Sequence, residues 1–403
     1  MTTERLYYSD AYRTTFEARV VACVARPAST PGAPASYAVE LAASAFYPTS
    51  GGQPFDTGTL GDARVHDVID EDEGRVVHVT DRALEPGSVV IGAIDWARRF
   101  DHMQQHTGQH VLSAAFDRLF SNRTESFHLG AESCSIDLAR EVSVADVARA
   151  VDEANRIVWE DRPVSVRFAS EQEAAALPLR KEPARGGTLR LIDVADFDLS
   201  ACGGTHVART GGIGIIAASG WEKFRGGSRL HFLCGRRVGR RFDLWRDALA
   251  ATMKHLSLAP EELAGGIERL QGENKALQRA LRSAQEKLAG YEARALVERG
   301  TRVGDRLVIV EAVPDLDATG LKAMAIATAS EPGAAVALFS ATSPALAVVA
   351  RHADADVDAG AVLKALVGRF GGKGGGRPDL AQGGGLQGDA AALATAAREL
   401  LSR

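Results

Sequence analysis

Two pairs of residues at equal spacing, His106 with His110 and Cys202 with His206, carry the strongest chemical signal in the chain. The first pair lies in DHMQQHTGQHVLSAAF (101–116), where the apolar followers Val111, Leu112, Ala115 and Phe116 predict a helix. Positions i and i+4 share one helix face with side chains roughly 6 Å apart, so one ion can bridge both imidazoles. The second pair, in CGGTH, has two glycines between its ends, which disfavour a regular helix and permit the positive φ of a tight loop. Three imidazoles and one thiolate suit tetrahedral zinc better than the oxygen-seeking calcium or magnesium. Thr107 stands where a metalloprotease of the HExxH kind has its glutamate base, which argues against that chemistry. A lone HxxxH is more often two unrelated polar residues; the second pair at matching spacing turns the reading toward a metal.

The elements that must hold these ligands follow from the pattern around them. With 403 residues, 45% hydrophobic and 25% charged, the chain is globular and long enough for several domains. No apolar run is long enough to span a bilayer, and MTTERLYYSDAY lacks the basic and apolar segments of a signal peptide, so a cytoplasmic protein is expected. Four widely spaced cysteines do not form a disulfide framework; Cys23, Cys134 and Cys234 read as small buried apolar residues. The net charge of −5 leaves nucleic-acid contact to local patches. One such patch is GRRVGRRFDLWR (235–246), where Arg236 with Arg240 and Arg237 with Arg241 repeat at helical spacing. Like charges there repel unless an anion neutralises them, although a solvated helix face reads equally well.

Taken in order, residues 1–95 are short β-favouring runs broken by Pro and Gly, which predicts a small antiparallel barrel. Within it, FYPTSGGQPFDTGTL (46–60) is a glycine-rich loop around Gln53 whose backbone could approach a phosphate or another backbone. Residues 96–248 carry both ligand pairs in an irregular sequence of strands and helices, an α+β layer. Ser143 reads as the N-cap of a helix over 143–161, and LRLIDV (189–194) as the strand just before the second pair. In 249–299, Leu263, Ile267, Leu270, Asn274, Leu277, Leu281, Ala284, Leu288, Tyr291 and Ala295 alternate steps of four and three, a heptad seam with Asn274 at an a position. That coiled-coil-like helix is expected to seek a partner, either its own copy or another domain. Residues 300–403 read as an α/β unit ending in GGKGGGRPDLAQGGG (371–385), a glycine-rich loop with Lys373, Arg377 and Gln382 suited to phosphate. The chain is thus an α+β multidomain protein.

HTGQH, CGGTH, FYPTSGGQP and GGGRPDLAQGGG, in this order, resemble the long form of the free-standing alanyl-tRNA editing proteins, themselves similar to the editing and C-terminal parts of alanyl-tRNA synthetase. The resemblance covers essentially the whole chain. The metal pairs alone would be shared with threonyl-tRNA synthetase editing domains. It implies hydrolysis, in trans, of the ester joining serine, and sometimes glycine, to tRNA(Ala), with one zinc per chain on His106, His110, Cys202 and His206. Gly51, Gly52 and Gln53 would help recognise the acceptor end, and Arg377, Pro378, Asp379 and Gln382 would match the region associated with the tRNA body and dimer contacts. Ser50 replaces the first of three glycines found in other members and is expected to be tolerated.

Serine exceeds alanine by one hydroxyl, which a synthetic pocket cannot reject strongly, so a later hydrolytic check is needed. Ser126 and His128, in SFHLG, are candidates to line that pocket, and Glu125 and Asp193 are weak candidates for a general base. Asp198 reads equally as a loop cap. Four protein ligands describe a closed structural site, whereas hydrolytic zinc keeps a place for water, and the sequence leaves both open. The few residues before the barrel leave no room for an ATP-dependent aminoacylation domain, and Met1 suggests a complete chain rather than a synthetase fragment. Two other readings are a silent zinc-stabilised RNA-binding or dimerising protein and a zinc hydrolase of an unrelated small ester.

Overall fold

The computed structural model describes residues 2–27, 34–180 and 187–403, which fall into two compact units, 1–251 and 252–403. In the first, six antiparallel strands close a barrel in the order Thr15–Arg26, Ser36–Leu41, Val76–Thr80, Ala63–Asp70, Gly58–Leu60, Val89–Ile94. Closure removes the unpaired edges that short strands would otherwise expose. Val20, Val39, Leu41, Leu60 and Val68 point inward from the strands and, with Phe46 from the loop that follows, fill it. The loop from Ala45 to Thr57 leaves the barrel wall and returns, and it is this loop that carries Gln53.

The barrel hands over directly to the helix Trp96–Phe120, whose first turn is capped by the Asp95 carboxylate accepting from the Arg98 amide. From His102 to Phe116 every residue of this helix is buried, so it runs through the middle of the unit instead of along its surface. A four-stranded sheet (Ile216–Phe224, Gly227–Cys234, Cys134–Leu138, Thr124–Leu129) and the helix Val144–Trp159 enclose it. Ser143 caps that second helix in a reciprocal capping box with Asp146, as the sequence predicts. The strand Leu189–Val194 forms as expected, but a further strand, Asp198–Ala201, turns back along it before the second ligand pair begins. Asp198 therefore opens a strand and is not a loop cap.

The second unit is a six-stranded sheet in the order Thr301–Val303, Arg306–Val313, Ala334–Ser340, Ala345–Arg351, Leu380–Leu386, Lys373–Gly376. Its central strands are buried on both faces by the helices Ala318–Thr328, Ala359–Phe370 and Ala390–Leu401, and the last of these follows the glycine-rich stretch at which the sequence reading ends the unit. The glycine-rich stretch is not a loop. Lys373–Gly376 and Leu380–Leu386 pair as a hairpin about the tight turn Arg377–Asp379, so many of its amides are engaged with a neighbouring strand.

The helix Leu263–Glu298 is continuous, and beyond Leu263 most of its expected seam is left exposed within this chain. Leu270, Leu277, Leu281, Leu288 and Tyr291 are exposed, and Ala289, Ala293 and Leu296, one or two positions along from seam residues, are buried, with Ala289 and Leu296 in a core that includes Leu321 and Ile309. No coiled coil is formed within the described residues. Among those residues no helix is long and apolar enough to cross a membrane.

Candidate metal centre and its cavity

His106 and His110 project from one face of the central helix toward the loop that carries Cys202 and His206. All four ligand atoms lie within 4.8 Å of one another. Cys202 Sγ is 3.4 Å from His106 Nε2 and 3.4 Å from His206 Nε2. Zinc bonds of about 2.3 Å to sulfur and 2.0–2.1 Å to nitrogen, at tetrahedral angles, give a sulfur–nitrogen edge of roughly 3.5 Å. The donor set and its spacing fit zinc.

Each imidazole is held by a partner of its own, and the chemistry of that partner decides which nitrogen faces inward. His106 Nδ1 lies 2.8 Å from Gln53 Oε1, an oxygen that can only accept and that also takes the Thr205 amide at 3.1 Å. Gln53 Nε2 in turn donates to Thr205 Oγ1 at 2.8 Å. His110 Nδ1 donates to the Asp198 carboxylate at 3.0 Å. Thr107 gives its hydroxyl proton to Met103 O, so its oxygen accepts from His206 Nδ1 at 3.2 Å. All three rings are thereby fixed with the proton on Nδ1 and Nε2 free for a metal, the arrangement found around metal-binding histidines. Burial raises the Cys202 thiol, but facing His106 and His206 outweighs it and holds the thiol well below its ordinary value, toward the thiolate that metals require. Burial lowers His110 as well, yet its bond to Asp198 wins and raises it. Asp198 is itself held below the usual carboxylate range: burial opposes this, and His110 and Arg180 prevail.

Gln53 is completely buried and acts on a ligand, so the expectation that it touches an RNA acceptor end is corrected. Of its neighbours, Gly51 and Gly52 have φ of 53° and 83°, while Ser50 needs no such freedom, which is why a serine stands there. Gly204 is required for a different reason: a Cβ there would sit 2.2 Å from His106 Cε1. Arg190 fixes the same loop by donating to the carbonyls of Cys202 and Gly204, both at 2.8 Å.

A cavity of about 350 Å³ opens beside the ligands, lined by Tyr47, Gly52, Gln109, Thr124, Glu125 and Phe127 among others. Gln109 Nε2 donates to Ser113 Oγ at 2.8 Å, while its Oε1 is buried with no hydrogen-bond partner. Phe127 turns toward the ligands, its ring 5.8 Å from that of His106. Strand alternation sends Ser126 and His128 the other way. Ser126 borders the cavity but gives its hydroxyl to Asp137, and His128 is exposed and does not line the cavity, which corrects its candidacy as a pocket residue. Asp193 is paired with Arg167 at 2.8 Å and lines a different depression, so it is not placed to act as a base there. Sequence reasoning missed Gln109, Thr124, Arg190 and the role of Asp198; Gln109 sits inside the ligand motif, where its polarity on a buried helix was the available signal.

The arginine patch divides. Arg237 is buried in an ion pair with Asp101 and donates to Gly130 O at 2.7 Å, so it is structural and not a nucleic-acid contact. Arg236 and Arg240 are exposed, and Arg241 stacks over Trp245 with 5.9 Å to the ring centroid. In the second unit Lys373, Arg377 and Gln382 are all exposed on the glycine hairpin, with Asp379 3.4 Å from Arg377.

Residues 189–230, which include Cys202 and His206, match the threonyl and alanyl tRNA synthetase second additional domain, and residues 305–403 match the DHHA1 domain. The chain thus combines a domain shared with threonyl and alanyl tRNA synthetases with a DHHA1 domain. The alanine–tRNA ligase of Natronomonas pharaonis is 37% identical over 95% of this chain, which spans 42% of that ligase's length. The alanyl-tRNA editing protein AlaX-L of Pyrococcus horikoshii is 29% identical over 94% of both chains. The alanyl-tRNA editing protein Aarsd1 of Rattus norvegicus is 32% identical over 67% of this chain and 68% of its own. The chain belongs to the family of alanyl-tRNA editing proteins.

Proposed function

We propose that this protein is a trans-acting deacylase that hydrolyses the ester between a wrong amino acid, chiefly serine and also glycine, and tRNA(Ala), at a site holding one zinc. The observation that carries the reading is the convergence of His106, His110, Cys202 and His206 at the wall of a small polar cavity, with every Nε2 directed inward by its own hydrogen bond. Zinc bound there would supply a Lewis acid beside the ester, or a rigid floor for the pocket.

The chain's own residues do the rest. Gln53, Asp198 and Thr107 hold the imidazoles in one tautomer. Gln109 Oε1, buried and without a partner, is an acceptor suited to the seryl hydroxyl, the one group that distinguishes the wrong ester from the right one. Phe127 and Tyr47 limit the space, and Glu125 is the carboxylate lining the cavity, available to take a proton. The tRNA is held by exposed cations, Arg236 and Arg240 on the first unit and Lys373 and Arg377 with Gln382 on the second. The exposed leucines of the helix Leu263–Glu298 support a homodimer formed along it. The full set of four protein ligands favours a second reading, a non-catalytic tRNA-binding protein stabilised by zinc.

Hydrolysis of Ser-tRNA(Ala), Gly-tRNA(Ala) and Ala-tRNA(Ala) by zinc-loaded protein and by Cys202→Ala separates the two. Rapid loss of the seryl ester, with the alanyl ester spared and the activity absent from the variant, establishes the deacylase. Intact esters with metal-replete protein that still binds tRNA establish the second reading.

A further inference from the structure

One turn before His106 on the same central helix, His102 is 3% exposed and its Nδ1 has no hydrogen-bond partner, which is unusual for a buried ring nitrogen. It lines a second cavity, about 210 Å³, together with Ala97, Arg98 and Asp101 of that helix, Ala131, and Arg236, Arg237 and Arg240 of the helix Arg236–Leu256. Asp101 and Arg237 neutralise each other there. Among the described residues no carboxylate pairs with Arg98, Arg236 or Arg240, so three positive charges face a space of small-anion size without a counter-ion. Arg98 is anchored for this by donating Nε–H to Phe55 O at 2.9 Å and stacking over the Phe55 ring. Arg236 is also the first residue of a 21-residue helix, whose N-terminal end adds positive potential. Burial and the charge of Arg98 push His102 down to about 4, so at neutral pH the ring carries one N–H for an anion to accept.

We propose that this cavity is a phosphate subsite that takes a backbone phosphodiester of tRNA near its acceptor end. His102 lies about 6 Å along the helix from His106, so an RNA strand with its 3′ ester at the metal centre reaches the cavity within a few nucleotides. The subsite rests on the tRNA reading above and explains why the arginines at 236 and 240 are repeated at helical spacing without acids between them. A free phosphate group offers the same chemistry, and the experiment separates the two sources.

Uncharged tRNA(Ala) binding is measured against salt concentration for the full zinc-loaded chain, for Arg236→Gln/Arg240→Gln, and for Arg241→Gln, whose side chain lies outside the cavity. Inorganic phosphate is titrated calorimetrically into the same three proteins. The expected result is a fall of about 1 in the slope of log affinity against log salt for the double variant, with weaker binding, and no change for Arg241→Gln. An unchanged slope in the double variant overturns the proposal, and if inorganic phosphate still binds wild type and not that variant, the cavity serves a free anion instead. An equal fall in Arg241→Gln also overturns it, because the effect is then bulk charge. Because the tRNA is uncharged, absence of ester hydrolysis would sink the deacylase reading without touching this result.

Discussion

The two units of this chain bury opposite kinds of material. Within the first, Gln53, Asp56, His78, Arg99, Gln105, His106 and Gln109 are almost fully buried; in the second, Thr328 and Ser340 are the buried polar side chains among the described residues. Both units are rich in glycine, yet glycine does different work in each. At Gly204 its missing Cβ lets the loop lie against the His106 ring, whereas Gly374 and Gly376 let two backbones of the C-terminal hairpin close on each other. Buried polar groups are costly and therefore over-determined by their partners, whereas exposed ones need no such support.

The harshest way to break this contrast is at Arg99. It is fully buried against Asp56, donates Nε–H to Asp56 Oδ2 at 2.9 Å and Nη1–H to Ala11 O at 2.8 Å, and so ties the Gln53 loop to the metal helix. Arg99→Met leaves a carboxylate buried and unpaired, which costs about 3–5 kcal/mol. Urea denaturation of the full chain, followed by hydrogen exchange, is expected to show the loss in the first unit only. An equal loss of protection in 300–403 would show that the units do not differ in this way.

The next test concerns the metal's supporting partners. Gln53→Ala and Asp198→Asn each remove or weaken the acceptor that holds a histidine, and an outer partner of this kind is worth about 10–100-fold in metal affinity. Competition with a chromophoric chelator measures it directly. Gln53→Glu retains an acceptor oxygen for His106 and should bind zinc more tightly than Gln53→Ala; identical affinities in the two would mean that Gln53 only fills space.

How much of this was legible beforehand follows the same division. The ligand pairs, the barrel, the Ser143 cap and the sheet strands near 306–351 are written in local spacing and alternation, which survive any tertiary context. Gln53 was seen, but its role was not, because its partner His106 lies 53 positions away and only the closed fold brings the two within 2.8 Å. The sequence leaves Asp198 open, equally a loop cap, for the same reason. The hairpin at 373–386 reads as a loop because glycine runs resemble linkers, and nothing local shows that Gly374 faces Gly383. The helix is legible in the heptad seam, but the face it turns to its own sheet is not, since Ala289 and Ala293, small and close to the seam, fit the core while Leu288 and Tyr291 stay exposed within the chain.

Glycine substitutions sharpen the comparison at smaller cost. Gly204→Ala meets the His106 ring at 2.2 Å and Gly376→Ala meets the Ala381 backbone at 2.3 Å, whereas Gly375→Ala meets nothing within 4 Å. Overpacking of the first kind costs about 1–3 kcal/mol. Gly204→Ala is therefore expected to lower zinc affinity with the second unit untouched, Gly376→Ala to loosen the hairpin without altering zinc, and Gly375→Ala to change neither melting nor metal. A zinc defect in Gly376→Ala would break the separation of roles.

The mildest test near neutrality is acid. His78 is wholly buried in the barrel, with Nδ1–H directed at Val39 O, 3.1 Å away, and Nε2 2.7 Å from the Ser44 hydroxyl, and burial pushes it down to about 4. Unfolded, the same ring takes up its proton near 6.5, so between these values the unfolded chain binds more protons and stability falls as pH falls. At pH 5.5 the loss from this group is roughly 1.4 kcal/mol, growing by a similar amount for each further unit until pH approaches 4. In the second unit the imidazole of His352 is partly exposed and 3.2 Å from Asp354. Hydrogen exchange at pH 7 and 5.5 should therefore show the barrel weakening relative to the C-terminal sheet, and His78→Gln should remove that part of the difference. A barrel whose protection is the same at both pH values, or a barrel difference undiminished in His78→Gln, would mean that burying His78 is not what makes the barrel sensitive to acid.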